Sequence, residues 1–237
     1  MINKTCPLVL SQCYEYDFTA CAYRILKNIG WDLSGIDFEN KEKRNIQIGL
    51  IQRDNPKIAR FIHDSVNSLI DNYLIENNIG EDELILRQFD GVTVTKKFKI
   101  LNSSLPIKLT SVISKLIISF DRKKWMKINE KVIVKGLSHT PIDCSFFDLF
   151  QNLNFTNKKV LIDQLETIRI NIYKYPKIEW FVFEDEDDTF SVPIIDEGFL
   201  SFRKSSLSIL KKSDLDCRYI WSEFVWPFVE SIVFTVC

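Results

Sequence analysis

Apolar and polar residues alternate along the chain in ways that predict an α+β fold. Leu8–Phe18 reads as a strand running into a turn. Apolar positions 22, 25, 26 and 29 then recur at helical spacing, predicting a helix over Ala20–Ile29 with Thr19 as cap and Gly30 as stop. Asp37–Asn40 offers a cap for a basic helix around Lys41–Arg53. Asp54-Asn55-Pro56 starts another, because proline at the first helical position forfeits no hydrogen bond. This next helix carries the clearest stripe in the chain: Ile58, Phe61, Ile62, Val66, Leu69, Ile70, Tyr73 and Leu74, closed by Asn77, Asn78 and Gly80. Leu84–Phe89 and Val92–Lys97 are apolar or β-branched runs joined at Asp90-Gly91, a dipeptide suited to a tight hairpin turn.

The second half repeats the mixture. Trp125–Ile128 and Lys131–Val134 flank Asn129-Glu130 as a second hairpin, and helices are predicted at about 144–153 and 157–173. Glu179–Glu184 and Phe190–Ile194 flank the acidic turn Asp185–Asp188 as a third hairpin. A last apolar helix runs from Cys217 towards Phe234, interrupted by Pro227. The aromatic group Trp221, Phe224, Trp226 and Phe228 within it reads as core or as a partner surface.

Composition narrows the chemistry. At 237 residues and 46% apolar, the chain can bury a real core. No apolar run is long enough for a membrane span or a leader. Six cysteines without a C-x-x-C pair argue against a disulfide framework or zinc site, making a reducing cytoplasm the expected setting. Only two histidines, His63 and His139, leave a Ser–His–Asp triad improbable, and seven glycines include no phosphate-cradling loop. Any chemistry must therefore lean on carboxylates, lysines and arginines. Charge is uneven: residues 1–135 carry 21 Lys and Arg against 16 Asp and Glu, and residues 136–237 carry 10 against 16. This change sets a division near residue 137, and the basic half suits a phosphate-rich partner.

Two carboxylates stand at unusual places. Asp17 ends a strand before a helix, and Asp90 stands at a hairpin tip 73 positions later. Read singly, Asp17 is a helix cap and Asp90 a turn residue. If strand and hairpin are sheet neighbours, the two meet at one edge. Such a pair can hold two divalent cations, and Mg²⁺ needs little more than two carboxylates plus substrate phosphates.

The order of the segments adds to this. Tyr16-Asp17-Phe18-Thr19-Ala20-Cys21-Ala22-Tyr23-Arg24-Ile25-Leu26 resembles motif A of template-directed DNA polymerases, in its family B form. Lys41-Glu42-Lys43-Arg44-Asn45-Ile46-Gln47-Ile48-Gly49 resembles motif B, with Ile46 and Ile48 where that motif has Ser and Tyr. Arg87-Gln88-Phe89-Asp90-Gly91 stands where motif C would be, with one Asp instead of two. Arg122-Lys123-Lys124-Trp125 and Val134-Lys135-Gly136 resemble the Lys-Lys-x-Tyr and Lys-Gly elements that follow. The resemblance covers about residues 10–136, and family A is a competing parent.

This resemblance implies a palm-like antiparallel sheet backed by helices over 1–136, with minimal fingers at about 31–53. Residues 137–237 would form a smaller α+β unit, read as a reduced thumb or partner-binding region. It implies nucleotide addition to a 3′ hydroxyl, with Mg²⁺ at Asp17 and Asp90. Lys41, Lys43, Arg44 and Asn45 would meet the incoming triphosphate and Tyr23 would lie beneath its sugar. Lys123, Lys124 and Lys135 would hold the primer-template in one groove with them. The short chain suggests either a split-polymerase subunit needing other polymerase subunits as partners or a much-reduced replicative or repair enzyme. The alternative is a polymerase-derived binding or assembly subunit without catalysis. Equally, Tyr23 reads as core, the 41–44 run as a solvated helix face, and the 122–127 run as lysines guarding an edge strand.

Overall fold

The computed structural model describes residues 1–99, 107–185, 189–196, 198–203 and 210–236. In chain order the elements are β1 (Val9–Phe18), α1 (Cys21–Asn28), α2 (Lys41–Asp54), α3 (Pro56–Glu76), β2 (Leu84–Arg87), β3 (Gly91–Val94) and β4 (Ile107–Ile118). There follow β5 (Trp125–Ile128), β6 (Val132–Lys135), α4 (Lys158–Lys174), β7 (Phe183–Glu184), β8 (Thr189–Ile194), β9 (Gly198–Arg203), α5 (Cys217–Ile220) and α6 (Trp226–Val236). The fold is α+β, with an antiparallel six-stranded sheet in the order β2-β3-β1-β4-β5-β6 and a three-stranded sheet β7-β8-β9. By packing the chain divides into two units. One takes Met1–Cys6 and Gln12–Val112, and the other Pro7–Ser11 and the chain from Ile113 onward. The division near residue 137 rests on charge rather than on packing.

In the first unit, α3 buries Ile62, Val66, Ile70, Tyr73 and Leu74 against the sheet residues Tyr16, Phe18, Val92 and Val94. The stripe predicted for it holds except at Phe61, which is exposed. Tyr16 stacks on Phe98 at 4.0 Å, and its buried hydroxyl accepts the Phe98 N–H at 2.8 Å. Proline stands in the first turn of α3, and Asn40 caps α2 by accepting the Lys43 N–H at 3.1 Å. Gly30 ends α1 with φ +74°, a conformation that favours glycine.

Thr19 is not the cap of α1. Ala20 occupies that position in a left-handed conformation, φ 53° and ψ 44°, with no side-chain cap. The reason is tertiary: the Phe18 N–H donates to the Asp90 carbonyl at 2.8 Å, holding the strand extended through Phe18. The chain must then turn within Thr19–Ala20.

The second unit packs Phe146, Phe147, Phe150, Phe181, Phe183, Phe224 and Phe228 into one core. The helix predicted at 144–153 is a 3-10 helix, Ser145–Phe150. Three residues per turn bring Phe147 and Phe150 to the same buried face. In the third hairpin only Phe183–Glu184 of the first arm is strand, Ile178–Trp180 being a 3-10 turn. Residues 186–188 of its acidic turn lie outside the described residues. The interruption expected at Pro227 is a π turn, Trp221–Val225, between α5 and α6. Pro227 is the second residue of α6, directly after that π turn. Phe224 and Phe228 are core, while Trp226 is exposed. The sequence reading anticipated neither β4 nor β9.

Candidate functional site

Strand pairing brings the two carboxylates together. β1 and β3 run antiparallel with Tyr16 opposite Val92 and Asp17 opposite Gly91. Asp90, one residue before Gly91, lies in the turn of the β2–β3 hairpin, which the Gln88 N–H closes onto the Gly91 carbonyl at 2.9 Å. Glycine at 91 is a requirement of close approach. A Cβ there would lie 2.6 Å from the Tyr16 carbonyl oxygen and 3.5 Å from Asp17 Oδ1. Arg87 anchors the hairpin to α3, donating to Asp71 Oδ1 at 2.7 Å and to the Asn67 carbonyl at 2.9 Å.

Asp17 and Asp90 are both half-buried and line one cleft of about 520 Å³. Burial pushes the Asp17 carboxyl above its ordinary value and the charge of Asp90 pushes it further, against the pull of Lys41 and the Phe18 N–H. Cys21, at the start of α1, lies in the same field. Burial first, then Asp90 and Asp17, push its thiol up to about 12, so it stays protonated. Asp17 is therefore not a helix cap, whereas Asp90 is a turn residue and a cleft residue at once.

The cleft also gathers four of the five residues singled out in the sequence for the incoming nucleotide. Tyr23 of α1 and Lys41, Arg44 and Asn45 of α2 line it. Lys43, one position away on the helix, is exposed and does not. Arg44 is largely committed to structure. It is 9% exposed, donates from Nη1 to the Phe38 carbonyl at 2.6 Å and lies over the Phe38 ring at 5.2 Å. Tyr23 packs on the same ring at 5.0 Å, a half-core role. Lys108 on β4 and Phe89 in the hairpin turn also line the cleft. Sequence reasoning passed over both. Lys108 belongs to a strand whose alternation is broken at Ser111 and Val112, and Phe89 closes the apolar run Leu84–Phe89.

Lys123, Lys124 and Lys135 belong to the other unit and are not among the cleft's lining residues. Lys124 leads into β5, and Lys135 ends β6 opposite Trp125. The two segments meet at Gly136, φ +85°, where a Cβ would lie 2.1 Å from the Lys123 carbonyl oxygen. Asp121 shapes this turn by accepting the Ser119 hydroxyl at 2.6 Å and the Lys123 N–H at 3.0 Å. Burial opposes its ionisation, but these bonds together with the charges of Lys124 and Lys123 outweigh burial and hold its carboxyl below the usual range.

Among the described residues, no group of three or more His, Cys, Asp or Glu side chains could hold a metal ion. Among the described residues, Cys6, Cys13, Cys21, Cys144 and Cys217 form no disulfide. No helix among the described residues is long and apolar enough to cross a membrane.

No family model and no curated protein matches the chain. Among solved structures, 97% of it aligns with the family B DNA polymerase from the hyperthermophilic archaeon Pyrobaculum calidifontis, at TM-score 0.49 and 7% identity. The likeness is distant, and the aligned region spans 45% of that polymerase.

Proposed function

We propose that this chain is a nucleotidyltransferase of the DNA polymerase type, adding nucleotides to a 3′ hydroxyl with Mg²⁺ held by Asp17 and Asp90. The observation that carries the reading is the convergence of those two carboxylates on one cleft with Lys41 and Lys108. They come from a strand end and a hairpin turn, and are near enough for one charge to raise the other's pKa. Like charges kept together at a cost in stability are characteristic of a site that binds cations or moves protons.

The donor set fits Mg²⁺. It consists of hard carboxylate oxygens, beside a thiol that stays protonated, and Mg²⁺ takes its remaining ligands from water and substrate phosphates. Bound there, the metal would activate the 3′ hydroxyl and neutralise charge on the polyphosphate. Asp17 and Asp90 are thus the ligands, and Lys41 and Lys108 attract the polyphosphate from α2 and β4. Arg44 braces Phe38 beneath Tyr23, and Asn45 completes the polar wall. Lys43 has a lesser part, as a solvated cation near the mouth. Lys123, Lys124 and Lys135 are assigned to the primer-template backbone.

Primer extension by the purified chain in Mg²⁺ tests this. Asp17→Asn and Asp90→Asn should each abolish extension. Extension that survives both refutes the assigned roles. A second reading, a binding or assembly subunit without catalysis, is favoured by the engagement of Arg44 with Phe38, which removes one cation from substrate. It predicts salt-dependent binding of primer-template with no extension by wild type.

A further inference from the structure

Phe89 occupies the turn of the β2–β3 hairpin, between Gln88 and Asp90. Turn positions are usually filled by Gly, Asn, Asp or Ser, whose backbones or short side chains favour the bend. A phenyl ring does nothing for the turn. Phe89 is 49% exposed, and among the described residues of its unit it is the one exposed large apolar residue that lines the cleft. The ring is also supported. His63 of α3 stands behind it with centroids 6.3 Å apart and planes 33° apart. His63 is in turn within 3.1 Å of Asn67 Nδ2 through Nδ1. Arg87 fastens the same turn of α3 to the hairpin. Of the cleft's other rings, Phe18 is buried against Tyr73 and Tyr23 is already packed on Phe38.

We infer that Phe89 is a stacking platform for the base of the nucleotide whose phosphates the cleft receives. The inference rests on the function proposed above. A flat apolar face beside phosphate-attracting lysines matches a nucleotide in both chemistries at once, and stacking tolerates any base because every base has a π face. The backbone link to Asp90 fixes the ring relative to the reacting centre, so the base contact and the metal ligands move together. Local turn chemistry is sacrificed here, as is usual at functional positions.

Calorimetric titration in Mg²⁺ separates the base from the phosphates. The probes are inorganic tripolyphosphate, dATP and dCTP, and the chains are wild type, Phe89→Ala, Phe89→Leu and Phe89→Trp. The ratio of dATP to tripolyphosphate affinity should fall about 5- to 150-fold in Phe89→Ala, the range expected for one stacked base. It should fall similarly in Phe89→Leu, which keeps apolar bulk without a ring, and be preserved in Phe89→Trp. The fall should be smaller for dCTP, whose base offers less area. An unaltered ratio in Phe89→Ala or Phe89→Leu, with tripolyphosphate still bound, overturns the stacking role and leaves the proposed function standing. A wild-type chain that binds neither tripolyphosphate nor nucleotide overturns both. Phe89→Leu carries the test by itself if Phe89→Ala fails to fold.

Discussion

The backbone N–H of Phe18 donates to the carbonyl oxygen of Asp90 at 2.8 Å. The two acidic positions of the cleft are thereby coupled through the main chain. Any change that separates β1 from the hairpin turn should act on both carboxylates together.

Gly91→Ala is the most direct such change. Its methyl group would lie 2.6 Å from the Tyr16 carbonyl oxygen, and backbone cannot swing away as a flexible side chain would. Overpacking of this kind costs about 1–3 kcal/mol. Urea denaturation should show a loss in that range, and extension should fall even where the variant is fully folded.

Asp17→Asn should stabilise the chain while abolishing function. The folded-state pKa of Asp17 is raised, so its contribution is favourable below the ordinary aspartate pKa and is lost as pH rises through the raised value. Near neutrality the ionised group therefore opposes folding, and the neutral amide removes that opposition. The gain should be small, because the group is half exposed and screened by solvent. Thermal melts should place the variant above wild type at pH 7, with the gap closing at acidic pH. Asp90→Asn should move the Asp17 titration down, which carbon-13 NMR of the carboxyl would follow.

Ala20→Gly relieves a left-handed conformation that costs an L-residue about 1–2 kcal/mol. Because Ala20 sits at φ 53°, the variant should gain on the order of 1 kcal/mol in chemical denaturation. It should keep the Asp17–Asp90 pair, since the strand ahead of the turn is untouched.

Lys123→Ala with Lys124→Ala should weaken primer-template binding and flatten its salt dependence. Each phosphate contact contributes a slope of about 0.7–0.9 log unit per log unit of salt, so two lost contacts should remove about 1.4–1.8. Fluorescence anisotropy across a salt series would show this. An unchanged slope would remove these lysines from the nucleic-acid surface.

The parts of this site that could be read in the sequence are those governed by local chemistry. The hairpin falls beside the Asp90-Gly91 pair, although its two turn residues are Phe89 and Asp90 and Gly91 already begins β3. Asn40 specified its cap, Pro56 its helix start and Gly30 its helix stop. Each acts on backbone groups within a few residues. What could not be read depends on partners distant in sequence. Ala20 takes the cap position because Phe18 is bound to a carbonyl 72 residues ahead. The basic run of α2 gave no sign that Arg44 would turn inward to Phe38 while Lys41 stayed in the cleft. Lys108 was hidden because Ser111 and Val112 invert the alternation of β4. The exposure of Phe89 follows from the hairpin's placement and not from its own neighbours.

Cys21 gives the cleft a built-in field meter. Its thiol lies near both carboxylates and is held at about 12 by burial and by their charges, so it is neutral near pH 7. An S–H bond in a fixed orientation changes its vibrational frequency with the local field. A cation arriving between Asp17 and Asp90 would reverse much of that field, and the native thiol would register its arrival without a label or an added chromophore.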